Sequence, residues 1–348
     1  MTNVVTIGWW TWTYNLLRAL KPLDVDIHAI VSMSDDWWST GVLRDEYWVL
    51  PPWDLRRALV ALAKDEDTVF LRKLFNFRFK WGSFDGHNLG NLIMLAASEI
   101  EWDFGKAINK LEELFDVKGK IYPATFEKTR IIAKLENNEI IIWETNIDVP
   151  KHDGNLRIKD FLVVKEEYAK ILKSLKQHLE IPTVGAAMED VLKQARQDRP
   201  NANPKIKEVL FQADYIIIGP GDLFTSVLPN ILVNNIASYL KQSKAKKILM
   251  ANIFTKYWET AGFKLSDFLE EFKKYLWEDI FDIVIAQDPD SLNIPKDLLE
   301  AYKMEGKELV LSDVKESRVI LADLISQKDF IRHDALKTRK VLERLLNS

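Results

Sequence analysis

The chain has 348 residues, 47% hydrophobic and 29% charged, with a formal net charge of −4 and no cysteine. That length suits one large α/β domain or two modest ones; the mild acidity argues against a nucleic-acid partner, and the lack of cysteine excludes disulfides, thiolate metal sites and cysteine nucleophiles. No run reaches the roughly 18 apolar residues that span a bilayer, and the opening Val4-Val5-Thr6-Ile7 reads as a strand rather than a signal peptide, so a cytoplasmic protein with no membrane partner is expected.

Short β-branched runs alternate with helix-length amphipathic stretches, the signature of a parallel sheet with crossover helices. The first strand, Val4–Ile7, leads through a turn into a helix over Tyr14–Leu20, and Asp26–Met33 is the second strand. Residues 54–114 read as nearly continuous helix, a cap over the sheet. Residues 121–165 read as an antiparallel β insertion, with strands Arg130–Leu135, Glu139–Trp143 and Arg157–Val164 joined by turn-forming Asn137-Asn138 and His152-Asp153-Gly154-Asn155. The segment 166–212 is helical and charged, broken at Pro182, Pro200 and Pro204. Four more strands follow, Tyr215–Ile218, Lys247–Met250, Asp282–Ile285 and Glu308–Leu311, with helices over 229–242, 264–276 and 296–304 between them. No repeat or long linker divides the chain, so a single α/β domain is expected over 1–348: a Rossmann-like three-layer sandwich with a mostly parallel sheet.

In such a sheet, ligands bind beyond the carboxyl ends of the strands. The segments found there are Gly8-Trp9-Trp10-Thr11-Trp12-Thr13, Ser34-Asp35-Asp36-Trp37-Trp38-Ser39-Thr40-Gly41, Gly219-Pro220-Gly221-Asp222-Leu223-Phe224-Thr225-Ser226, and Asn252 with Thr255. Gly86-His87-Asn88-Leu89-Gly90-Asn91 opens a helix beside them. Gly219–Ser226 combines a tight turn, small hydroxyls and free amides at a helix start, which favours phosphate; an ordinary capped strand-to-helix turn uses the same residues. Asp35 and Asp36 suit a metal ion or a ribose hydroxyl, although paired acids in a turn are more often simply solvated. His87 lies between Gly86 and Asn88 rather than on an apolar face. His28, His152, His178 and His333 lie near no second ligand cluster, so no zinc site is expected.

The first turn contradicts its position. A loop that presses its backbone on a phosphate needs residues without side chains, and Trp9, Trp10 and Trp12 are the opposite. They could serve instead as a platform for a base, or as core filling. Twelve tryptophans stand beside thirteen glycines, and the two together make about 7% of the chain, the usual share of glycine alone.

These segments, together with Val49-Leu50-Pro51-Pro52, Asp54-Leu55-Arg56, Pro123-Ala124-Thr125, Leu228-Pro229-Asn230 and Arg332-His333-Asp334, resemble the gluconeogenesis-factor family (YvcK-like), which belongs with the 2-phospho-L-lactate transferases (CofD-like). The departures are systematic. Where the family resembles Gly-Gly-Gly-Thr-Gly, this chain has Gly8-Trp9-Trp10-Thr11-Trp12; where the family has Asp-Asp-Gly-Gly, it has Asp35-Asp36-Trp37-Trp38; and Pro-Pro-Gly-Asp appears as Pro51-Pro52-Trp53-Asp54. Trp48, Trp81, Trp102, Trp143, Trp258 and Trp277 also stand where glycine is expected. This pattern leads to the expectation of a UGA codon that the producing organism reads as glycine and a common alternative code reads as tryptophan. The competing expectation is a tryptophan-rich relative that has lost nucleotide binding.

The resemblance implies a nucleotide-sugar-binding regulator, with UDP-N-acetylglucosamine as the type ligand, acting in gluconeogenic growth and cell-wall morphogenesis. It implies Gly8, Thr11, Gly219, Gly221, Thr225 and Ser226 at phosphate, Asp35, Asp36 and Asn252 at ribose or sugar hydroxyls, and His87, Asn88 and Asn91 closing the site. Trp9, Trp10, Trp12, Trp37, Trp38, Ser39 and Asp222 complete the expected ligand shell. No cofactor is required in this reading, and a homo-oligomer is left open. The alternative is a transferase moving a phospholactyl group onto a deazaflavin alcohol, with Mg2+ held by Asp35 and Asp36 and with His87 acting on the acceptor proton.

Overall fold

The computed structural model describes residues 1–8, 10–34, 53–64, 68–148, 154–178, 181 and 183–347. Its main sheet is built from β1 (Thr2–Ile7), β2 (Val25–Val31), β3 (Lys120–Pro123), β7 (Tyr215–Ile218), β8 (Lys246–Met250), β9 (Ile283–Gln287) and β10 (Val319–Ala322). These seven strands run in the order β10-β9-β8-β7-β1-β2-β3, every neighbouring pair parallel. A second, antiparallel sheet has the order β5-β4-β6, from β4 (Thr129–Leu135), β5 (Ile140–Ile142) and β6 (Ile158–Lys165).

Both faces of the parallel sheet are covered, which is why its central strands are apolar without a polar side. Val5, Ile7, Ile216 and Ile218 point into one core, shared with the small sheet and with helices Ile206–Gln212, Ile236–Gln242 and Leu265–Leu276. Val4, Ile217, Ile248 and Met250 point into the other, shared with α1 (Trp10–Leu20) and with helices Trp53–Leu62 and Ala335–Leu346. The small sheet is itself covered twice. Ile131, Ala133, Phe161 and Val163 join the first core, while Ile132, Ile142 and Val164 pack under helices Glu166–Lys176 and Val184–Gln197. The cap expected over 54–114 is present as helices Trp53–Leu62, Thr68–Asn76, Leu89–Glu101 and Phe104–Leu114.

Three local expectations are corrected. Lys120–Pro123 belongs to the main sheet as its edge beside β2, so the antiparallel insertion begins at Thr129. Glu308–Leu311 is no sheet strand: Thr255 and Val310 donate backbone hydrogen bonds to Glu308 and Ile253, tying this segment to the chain beyond β8. The outermost strand is Val319–Ala322, four residues between Arg318 and Asp323, too short and too exposed to alternate clearly. The helix expected over 229–242 is interrupted at Asn235, whose φ is 70°.

Six described residues other than glycine have a left-handed backbone. Asp116, Asn138 and Asn235 are types that tolerate it; Trp102 (φ 52°), Trp143 (φ 83°) and Trp277 (φ 63°) are not. Trp102 and Trp277 terminate helices Leu89–Glu101 and Leu265–Leu276 in the position that glycine usually holds. They are 89% and 66% exposed, so the indoles gain little burial to offset the strain. Trp81 is 85% exposed but extended, at φ −151°. Trp102→Gly and Trp277→Gly are therefore each expected to raise the free energy of unfolding by about 1 kcal/mol, with Trp81→Gly near neutral. Chemical denaturation of the three variants checks this, and equal effects at all three positions contradict it.

Candidate functional site at the sheet switch point

The chain moves from β1 to β2 on one side of the sheet and returns at β7 on the other, so the direction of winding reverses between β1 and β7. A crevice forms at such a point beyond the strand ends. The turns that follow the two strands touch. Gly219 N donates to Ile7 O at 2.8 Å, and a Cβ on Gly8 would lie 3.7 Å from Gly219 Cα and 2.8 Å from Thr13 Oγ1. Gly219 has φ +77°, and a Cβ there would stand 2.7 Å from Met250 O. The third tip closes on them, because Asn252 Oδ1 accepts from Gly221 N at 3.2 Å. The structure thus brings together Gly8, Gly219, Gly221 and Asn252. Trp10, Thr11 and Trp12 form the first turn of α1 beside them, whereas Trp9, Asp35, Asp36, Trp37, Trp38 and Ser39 lie outside the described residues.

The turn after β7 is already filled by an internal anion. The Glu259 carboxylate, fully buried, accepts from Phe224 N (3.0 Å), Thr225 N (3.1 Å) and Thr225 Oγ1 (2.6 Å). Lys256 Nζ bridges Asp222 Oδ2 at 2.7 Å and Glu259 Oε1 at 3.2 Å. Burial first, and the Glu259 charge second, push the Asp222 carboxyl well above the usual range. Asp222 O accepts from Ser226 N and Val227 N, closing a wide π-helical turn over Leu223–Val227 in which every residue is buried. Such turns recur at functional sites. Thr225 was expected at phosphate, yet its amide and hydroxyl are both bonded to Glu259. The amide of Ser226 is likewise spent within the turn.

His87, Asn88 and Asn91 sit at the start of helix Leu89–Glu101 in the cap. Asn88 caps it, its Oδ1 accepting from Asn91 N at 3.2 Å. The Asn91 side chain is fully buried, and neither of its polar atoms has a partner among the described residues. His87 closes a small loop, its N donating to Phe84 O and its O accepting from Phe79 N. The helix lies tight on its neighbours: a Cβ on Gly90 would meet Phe75 O and Arg56 Cδ at 2.6 Å.

A pocket of about 230 Å³ opens beside α1, lined by Tyr14, Asn15, Arg57, Arg72, Asn76 and Arg332. Buried His333 ties it to the strand tips. Asn15 Nδ2 donates to His333 O at 3.0 Å, and His333 Nε2 lies 3.1 Å from Ala251 O, just past β8. Three arginines line this one concavity, a lining whose charge suits an anion, and Arg332 also pairs with Asp329 at 2.9 Å. Sequence reading assigned no role to Arg57, Arg72, Arg332, Lys256 or Glu259. Isolated basic residues on amphipathic helices, and one glutamate in the short helix Tyr257–Thr260, carry no local signal of such convergence. Among the described residues, no group of three or more His, Asp or Glu is arranged to hold a metal ion, and no helix is long and apolar enough to cross a membrane.

Glu259→Ala leaves two amides, a hydroxyl and Lys256 facing an empty space, and is expected to cost about 3 kcal/mol of stability. Glu259→Gln, which keeps an oxygen at the amides, should cost less; equal stability of the alanine variant and the parent contradicts the role. Burial lowers the pKa of His333 from 6.5 to about 4, opposed by its contact with Ala251 O. Between those pH values the unfolded chain binds the extra proton, so stability is complete above pH 6.5 and declines as pH falls toward 4, by about 3 kcal/mol in all. His333→Gln should flatten that part of the profile in denaturation midpoints measured against pH.

Known proteins share this fold. The sequence profile of the 2-phospho-L-lactate transferase CofD family matches residues 4–329. A relative from Thermotoga maritima is 36% identical over 355 aligned positions, spanning 99% of each chain. The gluconeogenesis factor of Halalkalibacterium halodurans is 33% identical, covering 98% of this chain and 95% of its own, and that of Bacillus subtilis is 32% identical, covering 95% and 94%. A crystal structure of a UPF0052-family protein from Bacillus halodurans superposes with a TM-score of 0.81 at 30% identity, covering 98% of this chain and 99% of that one. With the sequence match running nearly end to end and the fold shared, the chain belongs to the CofD-like family and is similar throughout to its gluconeogenesis factors.

Proposed function

We propose that the protein is a nucleotide-sugar-binding regulator of the gluconeogenesis-factor type, acting in gluconeogenic growth and cell-wall morphogenesis, with UDP-N-acetylglucosamine as its type ligand. The observation that carries this reading is the contact of two glycine turns, Gly8 and Gly219–Gly221, at the switch point between β1 and β7, with an arginine-lined pocket alongside. Because Glu259 holds the donors of the 223–227 turn, the diphosphate belongs on the β1 side: the amides opening α1 and the Arg57, Arg72 and Arg332 guanidiniums. Asn252, at the tip of β8, is placed for sugar hydroxyls.

The family profile's own description, a 2-phospho-L-lactate transferase, favours a second reading, phospholactyl transfer to a deazaflavin alcohol with Mg2+ at Asp35 and Asp36. Calorimetric titration of the protein, in its tryptophan and glycine-restored forms, separates the two readings. UDP-N-acetylglucosamine is expected to bind the glycine form, and Arg57→Ala or Arg332→Ala to weaken it at least tenfold, about 1.4 kcal/mol. Binding of the deazaflavin alone would overturn the first reading in favour of the second.

A further inference from the structure

The three left-handed tryptophans have no use in the proposed site, and they are the strained positions that the fold itself does not explain. Two of them, Trp102 and Trp277, are helix ends pointing into solvent; the third, Trp143, follows the edge strand β5 at φ 83°. A large aromatic side chain is among the residues least suited to this region, since its Cβ crowds the following carbonyl. The other three non-glycine residues found there are asparagine or aspartate, whose short polar side chains tolerate it. Half of the non-glycine left-handed positions among the described residues are thus tryptophan. Six described glycines share the conformation.

We infer that the native polypeptide carries glycine, not tryptophan, at Trp102, Trp143 and Trp277, and that the same reassigned codon accounts for the other nine tryptophans of the chain. The backbone angles carry this independently of any family pattern: they assign glycine where a helix must stop, in places with no part in ligand binding. The count of 12 tryptophans beside 13 glycines is what a single reassigned codon would leave. Four ring contacts favour real indoles, and each is dispensable: Lys173 Nζ, 5.2 Å from the Trp143 ring, is exposed, and Lys241 Nζ, 5.7 Å from the Trp277 ring, already pairs with Glu278 at 3.2 Å. Arg130 Cζ lies 4.0 Å from the centre of the Trp143 ring, but the same guanidinium is already anchored to Glu166 at 2.8 and 3.1 Å. Trp258 meets the Tyr257 ring edge-on at 4.5 Å, and Tyr257 also packs where a Cβ on Gly154 or Gly306 would clash, so its place does not depend on the indole.

The consequence for function is direct. With glycine at positions 9, 10 and 12, the sequence on both sides of Thr11, leading into and opening α1, carries no side chains, the composition that lets amides reach a diphosphate.

The test is mass spectrometry of the protein isolated from its own organism. The intact mass is expected to fall roughly 1.5 kDa below the 40.4 kDa of the tryptophan chain, the loss of twelve indolylmethyl groups, and peptides covering 102, 143 and 277 are expected to contain glycine. Tryptophan at any of those three positions overturns the inference. A second measurement does not depend on that organism. Chains encoding glycine or tryptophan at all twelve positions are expressed in one ordinary host, and the glycine chain is expected to unfold at the higher temperature. A lower unfolding temperature for it would count against the inference.

Discussion

The site rests on a close approach of two backbones. β1 and β7 lie side by side at the point where the winding of the sheet reverses, and the turns leaving them meet, Gly219 N donating to Ile7 O at 2.8 Å. A side chain at Gly219 would push the strand tips apart, since its Cβ would run into the carbonyl of Met250 on β8. Everything nearby is arranged around this constraint. Asn252 reaches back to the Gly221 amide, and the C-terminal segment threads His333 between α1 and the end of β8.

Charge is distributed unevenly about the crevice. On the β7 side, an internal carboxylate already occupies the amide cluster at a helix start that would otherwise attract phosphate, with Lys256 and Asp222 completing a buried triad. Such a triad fixes the turn without depending on ligand. On the other side, arginines from two cap helices and from the C-terminal segment face a pocket against α1. In the proposed reading the diphosphate sits on this side, where Arg57, Arg72 and Arg332 line one pocket and Arg332 also pairs with Asp329 at 2.9 Å. One half is then a rigid wall and the other the receptor.

Much of this was legible in the amino-acid order. The runs Val4–Ile7, Tyr215–Ile218 and Lys247–Met250 declare themselves as buried parallel strands because their consecutive β-branched and apolar residues fit a sheet covered on both faces, and helix Lys296–Met304 has the bounds its periodicity predicts. The glycines at 8, 219 and 221 were readable because a tight turn after a strand has few other uses. The outer strand Val319–Ala322 was not, since an edge strand with partly exposed residues carries a weak pattern. Nor was Glu259, whose meaning comes wholly from a turn 34 residues earlier in the chain. Thr225 shows the opposite failure: residue type and position fitted phosphate, but a carboxylate from the short helix Tyr257–Thr260 fitted the same donors.

The central claim is that ligand is held by main-chain amides on the β1 side of the switch point, against a β7 turn that is complete without it. Amide hydrogen exchange of the glycine-restored protein, with and without UDP-N-acetylglucosamine, tests this most directly. Protection is expected to rise at residues 9–13, with the Phe224 and Thr225 amides equally slow in both states. Unchanged exchange at 9–13 while the ligand is bound, or protection gained only at 224 and 225, would contradict the account.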